Sequence, residues 1–314
     1  MIVNGIDLAG LAHEAPSLSV PAPVQGRCVH IDADFLAYQV SAERVGEEGM
    51  KSLDDMKHNG RVAISELKSL AGATKVHLHL TPSTSDKGKR GELALLKEYQ
   101  ATRKGKPKPQ YLHIIRDWLA KEYPATQHQN CEADDGMSSA QYEAIAAGER
   151  HLSIIASKDK DLNMVPGLHL KWDTGEIIDA KPYGELEVRI RPSGGKVLDG
   201  YGRKFFWAQM LMGDPADNTS GLPKVIRMQG KPVACGPITA LEILSNCYTD
   251  GEAFETVRDL YKRYGEELGF TNWRDNSPVP WGKAFFSEAQ LVWMRVKRAN
   301  PLCVMDYLSS ARAA

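Results

Sequence analysis

The sequence lacks any hydrophobic run long enough to cross a lipid bilayer. No stretch approaches the roughly 18 consecutive apolar residues of a membrane-spanning helix. The first 26 residues also lack the basic start and the continuous apolar segment of a secretion signal. We therefore expect a cytoplasmic protein that makes no membrane contact.

Cysteine is scarce and forms no pattern. The five cysteines are odd in number, widely spaced and without a CxxC pair, which favours neither a disulfide framework nor a zinc site. The nine histidines are scattered and form neither an HExxH motif nor a triad with a flanked serine. His30, His77 and His79 lie in predicted strands and are expected to be satisfied core residues.

Net charge is almost absent, because 39 basic residues face 40 acidic ones among 314 residues. The composition is otherwise ordinary for a globular protein, with 42% hydrophobic and 25% charged residues. The basic residues are nevertheless segregated into residues 86–110, called here the basic segment. Its cationic residues are Lys87, Lys89, Arg90, Lys97, Arg103, Lys104, Lys106 and Lys108. Such a concentration favours a polyanionic partner.

Strand-like and helix-like patterns alternate along the first two thirds of the chain. Short apolar runs at Cys28–Ile31, Lys75–Leu80 and Leu152–Ser157 predict buried strands with helices between them. This alternation predicts an α/β fold with a mostly parallel central sheet flanked by helices. We divide the chain into an extended N-terminal leader (1–26), an α/β core (27–202) that contains the basic segment, and a helical region (203–314). Helices are predicted there at Phe205–Met212, Glu252–Glu267 and Glu288–Arg298.

Four short segments carry paired acids. They are HIDAD with Asp32 and Asp34, CEADDG with Glu132, Asp134 and Asp135, SKDKD with Asp159 and Asp161, and GDPADN with Asp214 and Asp217. Any one pair fits a solvated face, and one acid of the CEADDG segment fits a helix cap. Two segments directly follow predicted strands, so their carboxylates should converge at one sheet edge and require bound cations. Hard oxygen ligands favour Mg²⁺ or Mn²⁺, and a pair of ions would suit phosphoryl displacement.

Taken in order, these segments resemble the flap-endonuclease-like 5′ nuclease family, most closely its phage 5′-to-3′ exonucleases. HIDADFLAY is similar to the first acidic strand, CEADDG to the acidic helix start and SKDKDL to the next acidic strand. MGDPADNTSGLPKV with CGPITALEIL resembles the helix-three-turn-helix. The resemblance implies a PIN-like 5′ nuclease core with a helical arch. It also implies two-metal hydrolysis of phosphodiester bonds in DNA and RNA primers, as a 5′-to-3′ exonuclease or flap endonuclease.

The resemblance also assigns roles in nucleic-acid binding. GELALLKEYQATRKGK is similar to the arch, and Arg103 stands where the family has an arginine that holds the scissile phosphate. The residues themselves predict that Arg90, Lys97 and Arg103 follow phosphates and that Tyr99 stacks on a base. Backbone N–H groups around Gly221, Lys224 and Gly236 are expected to grip duplex, with a potassium ion bridging to a phosphate. The expected partners are DNA 5′ ends, flaps, nicks and RNA–DNA hybrids, bound by a monomer.

The chain departs from the family pattern at three places. Gln100 stands where the family usually has a lysine, so the cation near the phosphate must be Lys97 or Lys104. Thr81-Pro82 stands where an aspartate usually follows the second strand, which makes Asp86 a candidate substitute. Ala33 replaces a common glycine, and Asp34 is an acid that only some members have.

Three alternatives remain open from the sequence. HIDADF resembles the nucleophile loop of a haloacid-dehalogenase-type phosphatase, although Phe35 and Leu36 replace its usual threonine and glycine. A non-catalytic, structure-specific DNA-binding protein with a weakened metal site is the second alternative. A PIN-like ribonuclease is the third, although such domains lack a helical region like the one after Arg203.

Overall fold

The computed structural model describes residues 20–42, 51–191, 193–226 and 231–313, together with the backbone of two short strands. These two, β1 (Ile2–Val3) and β2 (Ile6–Asp7), pair antiparallel. The rest of the predicted leader before residue 20 lies outside the described residues. Its last residues already belong to the sheet, because Val24 donates its backbone N–H to the carbonyl of Gly72 at 2.8 Å. Within the described part of the chain, no helix is long and apolar enough to span a membrane.

A six-stranded mixed sheet forms the centre of the protein, in the order β5-β4-β3-β6-β7-β8. Its strands are β3 (Val24–Asp32), β4 (Ala73–Leu80), β5 (Ala125–Gln127), β6 (Ser153–Ser157), β7 (Gly167–Lys171) and β8 (Ile177–Ala180). All neighbours are parallel except β8, which pairs antiparallel with β7. The predicted mostly parallel α/β sheet is thereby confirmed, and the three predicted strands are three of its members.

Helices cover both faces of this sheet. In chain order they are α1 (Ala33–Ser41), α2 (Leu53–Leu70), α3 (Arg90–Leu93), α4 (Leu112–Glu122), α5 (Ala133–Ala146), α6 (Arg203–Met212), α7 (Pro237–Leu244), α8 (Asp250–Glu267), α9 (Trp281–Val292) and α10 (Cys303–Ala313). Side-chain alternation explains the two layers, since Val29 and Ile31 of β3 face one side while His30 faces the other. Val29 and Ile31 belong to the apolar layer that α1, α2 and α4 complete.

The second apolar layer joins the sheet to the C-terminal helices. Ile155 of β6 shares it with Phe206 and Trp207 of α6 and with Phe285 of α9. Two further hairpins complete the fold, one of β9 (Glu185–Ile190) with β10 (Lys196–Tyr201), the other of β11 (Phe270–Thr271) with β12 (Pro278–Val279). The β9–β10 hairpin lies within the predicted α/β core but contacts α6 and α7. The C-terminal helices therefore pack on the sheet and not apart from it.

The basic segment has less helix than the resemblance to an arch suggests. It contains the four-residue helix α3 and two 3-10 turns, Lys87–Lys89 and Ala101–Arg103. Lys89 and Gln100 have positive φ angles of 59° and 54°, which interrupt a right-handed helix. Pro107 and Pro109 then exclude a helix in the remainder. The expectation of a helical arch is therefore corrected, because the basic segment forms only short helical turns.

Candidate metal centre

Two neighbouring parallel strands deliver acids to the same edge of the sheet. Asp32 ends β3 and caps α1, its Oδ1 accepting from the Phe35 N–H at 3.0 Å. The hydroxyl of Ser157, at the end of β6, donates to Asp32 Oδ2 at 3.3 Å and accepts from the Asp159 N–H at 3.0 Å. Asp159 in turn accepts from the Asp161 N–H at 2.9 Å. Ser157 therefore ties the two predicted acidic strand ends together.

The loop after α6 completes a compact group of acids. Carboxylate oxygens of Asp161, Asp214 and Asp217 lie within 4.8 Å of one another. Asp161 and Asp214 are only 6% and 3% exposed. The loop is held by its own bonds, since the Asp214 N–H donates to Thr219 Oγ1 at 2.7 Å and the Ala216 N–H to Asp214 Oδ1 at 3.1 Å. We call Asp159, Asp161, Asp214 and Asp217 the acidic cluster.

Negative charge accumulates in and around this cluster. Burial, followed by repulsion from Asp159 and Asp214, raises the pKa of Asp161 well above its usual range. Burial and repulsion from Asp217 and Asp214 raise the pKa of Asp159 against the bond from the Asp161 N–H. Burial with the neighbouring Asp34 and Asp159 raises the pKa of Asp32 to about 7. Each shift means that an added cation would stabilise the ionised form.

The N-terminus of α5 holds the CEADDG acids in different environments. Asp135 is fully buried and receives two bonds from Arg90, at 2.6 Å and 2.9 Å, and one from the Arg295 N–H at 3.1 Å. Although burial opposes it, the Arg90 guanidinium holds the pKa of Asp135 below its usual value. Burial and the neighbouring Asp135 and Glu132 raise the pKa of Asp134 instead. Asp134 is therefore the acid of this group that carries uncompensated charge.

Arg90 is an internal residue, which corrects its prediction as a contact to nucleic acid. Its side chain is 2% exposed, and besides Asp135 it donates to Glu132 Oε2 at 3.1 Å and to two main-chain carbonyls of Leu291 and Trp293. A guanidinium with all its donors engaged inside the protein has none left for a phosphate.

Asp34 points to the end of the next strand. Its Oδ2 accepts from the Thr81 N–H at 2.9 Å, and its Oδ1 pairs with Arg116 at 2.7 Å. Asp34 thus places a carboxylate beside Thr81, where the family resemblance expected an aspartate in the chain itself. Asp86, the predicted substitute, is exposed and caps a turn by accepting from the Gly88 N–H at 2.9 Å.

The basic segment lies on the acids through polar side chains. Tyr99 donates its hydroxyl to Glu132 Oε2 at 2.7 Å, and Gln100 donates to Glu132 Oε1 at 3.1 Å and to Asp217 Oδ1 at 3.2 Å. Arg103 donates through Nη2 to the same Asp217 oxygen. The Arg103 side chain is still about half exposed, at 53%. It therefore contacts the acidic cluster and solvent at once.

The predicted lysines of the segment lie at the surface. Lys97 and Lys104 are both exposed, and Lys104 pairs with Glu98 at 2.6 Å. Besides Arg103, the cation next to the acidic cluster is Lys160, which donates to Asp214 Oδ1 at 2.8 Å, and Gln209 donates to Asp161. Sequence reasoning missed both residues. Lys160 had a signal, since it stands between the two acids of SKDKD.

The predicted duplex-gripping region is only partly available to a ligand. The Gly221 N–H donates to Glu288 Oε2 at 2.7 Å, so it is used within the protein. Lys224 is exposed, and Gly236 is the N-terminal cap residue of α7 with open space beside it. Residues 227–230, inside the predicted potassium-binding region, lie outside the described residues.

No protein-family model and no curated protein matches this sequence. Solved structures do match. The bacteriophage T5 flap endonuclease in a pseudo-enzyme-product complex with DNA and metal ions aligns with a TM-score of 0.50 and 13% identity, over 91% of this chain and 97% of that one. The same T5 protein co-crystallised with metal ions gives a TM-score of 0.51 and 14% identity over the same shares.

The chain has the 5′ nuclease fold. The resemblance read from the four acidic segments is thus confirmed at the level of the fold, over nine tenths of the chain. The 5′ nuclease fold also explains why the acids of β3, β6 and the loop after α6 meet, because it brings the carboxyl ends of the parallel strands to one edge.

Proposed function

We propose that this protein is a divalent-metal-dependent 5′ nuclease that hydrolyses phosphodiester bonds of DNA. The observation that carries the proposal is the meeting of carboxylate oxygens from buried Asp161 and Asp214 and partly exposed Asp217 within 4.8 Å, with Arg103 donating to Asp217. The structures that share its fold include a flap endonuclease with DNA and metal ions, which supports the same class of reaction here.

The residues present fit a pair of Mg²⁺ or Mn²⁺ ions. The donors are all carboxylate oxygens, which hard divalent cations prefer. The pKa values of Asp134, Asp159 and Asp161 are raised, which means that their ionised forms are destabilised by burial and neighbouring acids and would be stabilised by cations. The residues that would hold the ions are Asp32, Glu132, Asp134, Asp159, Asp161, Asp214 and Asp217. Bound ions would supply an activated water and charge stabilisation for the phosphate. Asp34 and Asp135 are also predicted ligands, but they are paired with Arg116 and Arg90, so we assign them to orienting neighbouring groups.

The chain's own residues would bind and orient the nucleic acid. Arg103 has a guanidinium that is half exposed beside the acids, so it can hold a phosphate through two hydrogen bonds. Exposed Lys97 and Lys104 would neutralise neighbouring phosphates of a single strand. Lys224 and the N–H groups at the start of α7 after Gly236 would meet the duplex backbone. A 5′ flap presents a single strand next to a duplex, and a nick presents a free 5′ end within a duplex.

One assay tests the reaction, its polarity and its substrate together. Flaps labelled at the 5′ or the 3′ end, nicked duplexes and RNA–DNA hybrids are incubated with and without Mg²⁺. We expect metal-dependent release of short 5′-labelled fragments, and loss of that release in Asp214→Asn but not in the exposed control Asp306→Asn. Binding without cleavage would instead show the non-catalytic alternative. Hydrolysis of small phosphate monoesters alone would indicate a haloacid-dehalogenase-type activity.

A further inference from the structure

The turn between β11 and β12 holds the start of the basic segment. Trp273 donates its backbone N–H to the Leu95 carbonyl at 3.0 Å and its indole Nε1–H to the Ala94 carbonyl at 3.1 Å. Arg274 donates to the carbonyls of Ala94 and Gly91, both at 2.6 Å, and to that of Glu92 at 3.3 Å. All the acceptors are main-chain carbonyls, so the contacts fix the path of the backbone.

These contacts supply hydrogen-bond donors to the carbonyls at the end of the short helix α3. The last carbonyls of any helix lack partners within it, and a cation near them is favourable. Ala94 ends α3 in an extended conformation, which leaves the carbonyls of Gly91 and Glu92 unpaired by the helix itself. The fork of Arg274 reaches them while its guanidinium lies 4.7 Å from the centre of the Trp273 ring. The two side chains therefore act together.

The turn that carries Trp273 and Arg274 is held by its own hydrogen bonds. The Asn272 N–H donates to the Ser277 carbonyl at 2.8 Å, and the Asn276 N–H to the Asn272 carbonyl at 2.9 Å. The Asn272 side chain accepts from the Arg274 N–H at 3.0 Å. The two side chains thus start from a backbone that is fixed by local bonds.

A second set of contacts fixes the other end of the same stretch. The Gln100 N–H donates to the Asp217 carbonyl at 2.8 Å, and the Asn218 side chain donates to the Glu98 carbonyl at 2.8 Å. Residues 91–95 are therefore attached to the β11–β12 turn, and residues 98–100 to the loop of the acidic cluster. Lys97 lies exposed between the two attachments. The position of Arg103 depends on both.

We propose that Trp273 and Arg274 are positioning residues, which set the basic segment over the acidic cluster for cleavage. The proposal rests on the proposed nuclease function for its catalytic consequence, but not for its structural one. Both side chains lie at the surface, Trp273 being 38% exposed, and neither belongs to the apolar layers. Their loss should therefore displace the segment without unfolding the protein.

The test uses Arg274→Ala, Trp273→Phe and Arg274→Lys, with Arg258→Ala as the matched control. Arg258 is an α8 arginine that pairs with nearby Glu255 and Asp259 and lies over the ring of Phe254 in the same helix. We expect Arg274→Ala to lower the single-turnover rate at saturating flap DNA roughly tenfold or more, because misplaced contacts cost rate. DNA affinity should change less than twofold, and the cleavage positions should become more varied. Arg274→Lys should recover part of the rate. The control Arg258→Ala should show none of these changes.

Limited trypsin digestion separates this proposal from the proposed function. Cleavage after Lys97, Arg103 and Lys104 should be faster in Arg274→Ala and Trp273→Phe than in the wild type and the control, whether or not the protein cuts DNA. Unchanged digestion would overturn the positioning role even if the wild type is a nuclease. Faster digestion in a protein that never cleaves DNA would refute only the nuclease. If circular dichroism shows that Arg274→Ala is unfolded, the same digestion of Trp273→Phe tests the proposal, because that variant removes only one hydrogen bond.

Discussion

Arg103 and Asp217 form an ion pair that joins the basic segment to the acidic cluster. The two residues are separated by more than a hundred positions in the chain, and the same Asp217 oxygen also accepts from Gln100. A single carboxylate thus serves both as a candidate metal ligand and as the anchor of the residue that should meet the phosphate. The first two predictions follow from this double role.

Replacing Arg103 should slow cleavage much more than binding. Arg103→Ala removes a preorganised donor where charge develops on the phosphate, so the single-turnover rate should fall by roughly a hundredfold. Binding of plain duplex should barely change, because we assign that contact to the region around Lys224 and Gly236. The measurement is quenched-flow cleavage of a flap at saturating enzyme. A variant that keeps its saturated rate and loses only salt-dependent affinity would refute the role of Arg103.

Arg103 should also weaken metal binding in the protein without DNA. Its guanidinium competes with a divalent ion for Asp217, so Arg103→Ala should bind Ca²⁺ more tightly, by up to about fivefold for a half-exposed pair. Isothermal titration with Ca²⁺, compared with Lys104→Ala, measures the difference. Lys104 pairs with Glu98, outside the cluster, and its variant should bind Ca²⁺ like the wild type. Weaker binding by Arg103→Ala would show that Arg103 supports the site and does not compete for it.

Neutralising Asp161 should abolish cleavage and raise the stability of the metal-free protein. Because burial and neighbouring acids raise its pKa, the ionised carboxylate destabilises the metal-free fold. Asp161→Asn should therefore raise Tm in chelator, by about 1.5 °C for each 1 kcal/mol of repulsion that is relieved in a chain of 314 residues. It should also lose cleavage and most of the stabilisation that Mg²⁺ adds. Calorimetry with and without Mg²⁺ tests this, and a lowered Tm in chelator would mean that the bond from Gln209 outweighs the repulsion.

A row of hydrogen-bonded histidines should make the fold sensitive to acid. His30 Nδ1 lies 3.0 Å from His79 Nε2, and His79 Nδ1 lies 3.0 Å from His128 Nε2. The prediction of a satisfied core residue is confirmed for His79, which is 1% exposed, whereas His30 is hydrogen-bonded but only partly buried. Burial lowers the pKa of His128 to about 4 and that of His79 well below its usual value. The folded state thus resists protonation that the unfolded chain accepts near pH 6.5, so stability is lost as the pH falls through 6.5 towards 4.

His128→Gln should reduce that loss. One proton fewer is taken up on unfolding, so the free energy of unfolding should fall less steeply between pH 6.5 and 4 than in the wild type. Urea unfolding at several pH values in chelator measures the slopes, and the carboxylates of the acidic cluster contribute equally to both proteins. His58→Gln, at an exposed position of α2, is the control. Identical slopes for wild type and His128→Gln would contradict the shift.

Local patterns predicted the fold because they act over short distances. Apolar runs that end in an acid, such as the one before Asp32, predict both a buried strand and its position at the sheet edge. The helical spacing of apolar residues likewise predicted helix α8. The predicted helix Glu288–Arg298 was wrong in its bounds, because α9 spans Trp281–Val292 and the chain then turns to place Arg295 against Asp135.

Long-range pairing explains what the sequence could not show. Nothing near Arg90 in the sequence indicates that its partner is Asp135, 45 positions away, so a buried arginine was predicted to contact phosphates. Gln100 adopts a left-handed backbone that no sequence rule demands of a glutamine. That conformation turns its side chain onto Glu132 and Asp217, where the family resemblance expected a lysine to serve a phosphate.

Two adjacent residues of α9 hold the two segments that meet at the cluster. Ser287 donates to the Leu93 carbonyl at 2.8 Å and accepts from the Leu95 N–H at 3.2 Å, at the start of the basic segment. Glu288, whose pKa burial raises to about 7, accepts from the Gly221 N–H at the end of the acidic loop. Helix α9 therefore supports both the basic segment and the loop of the acidic cluster. A substitution that displaces α9 would therefore disturb the basic segment and the acidic loop together.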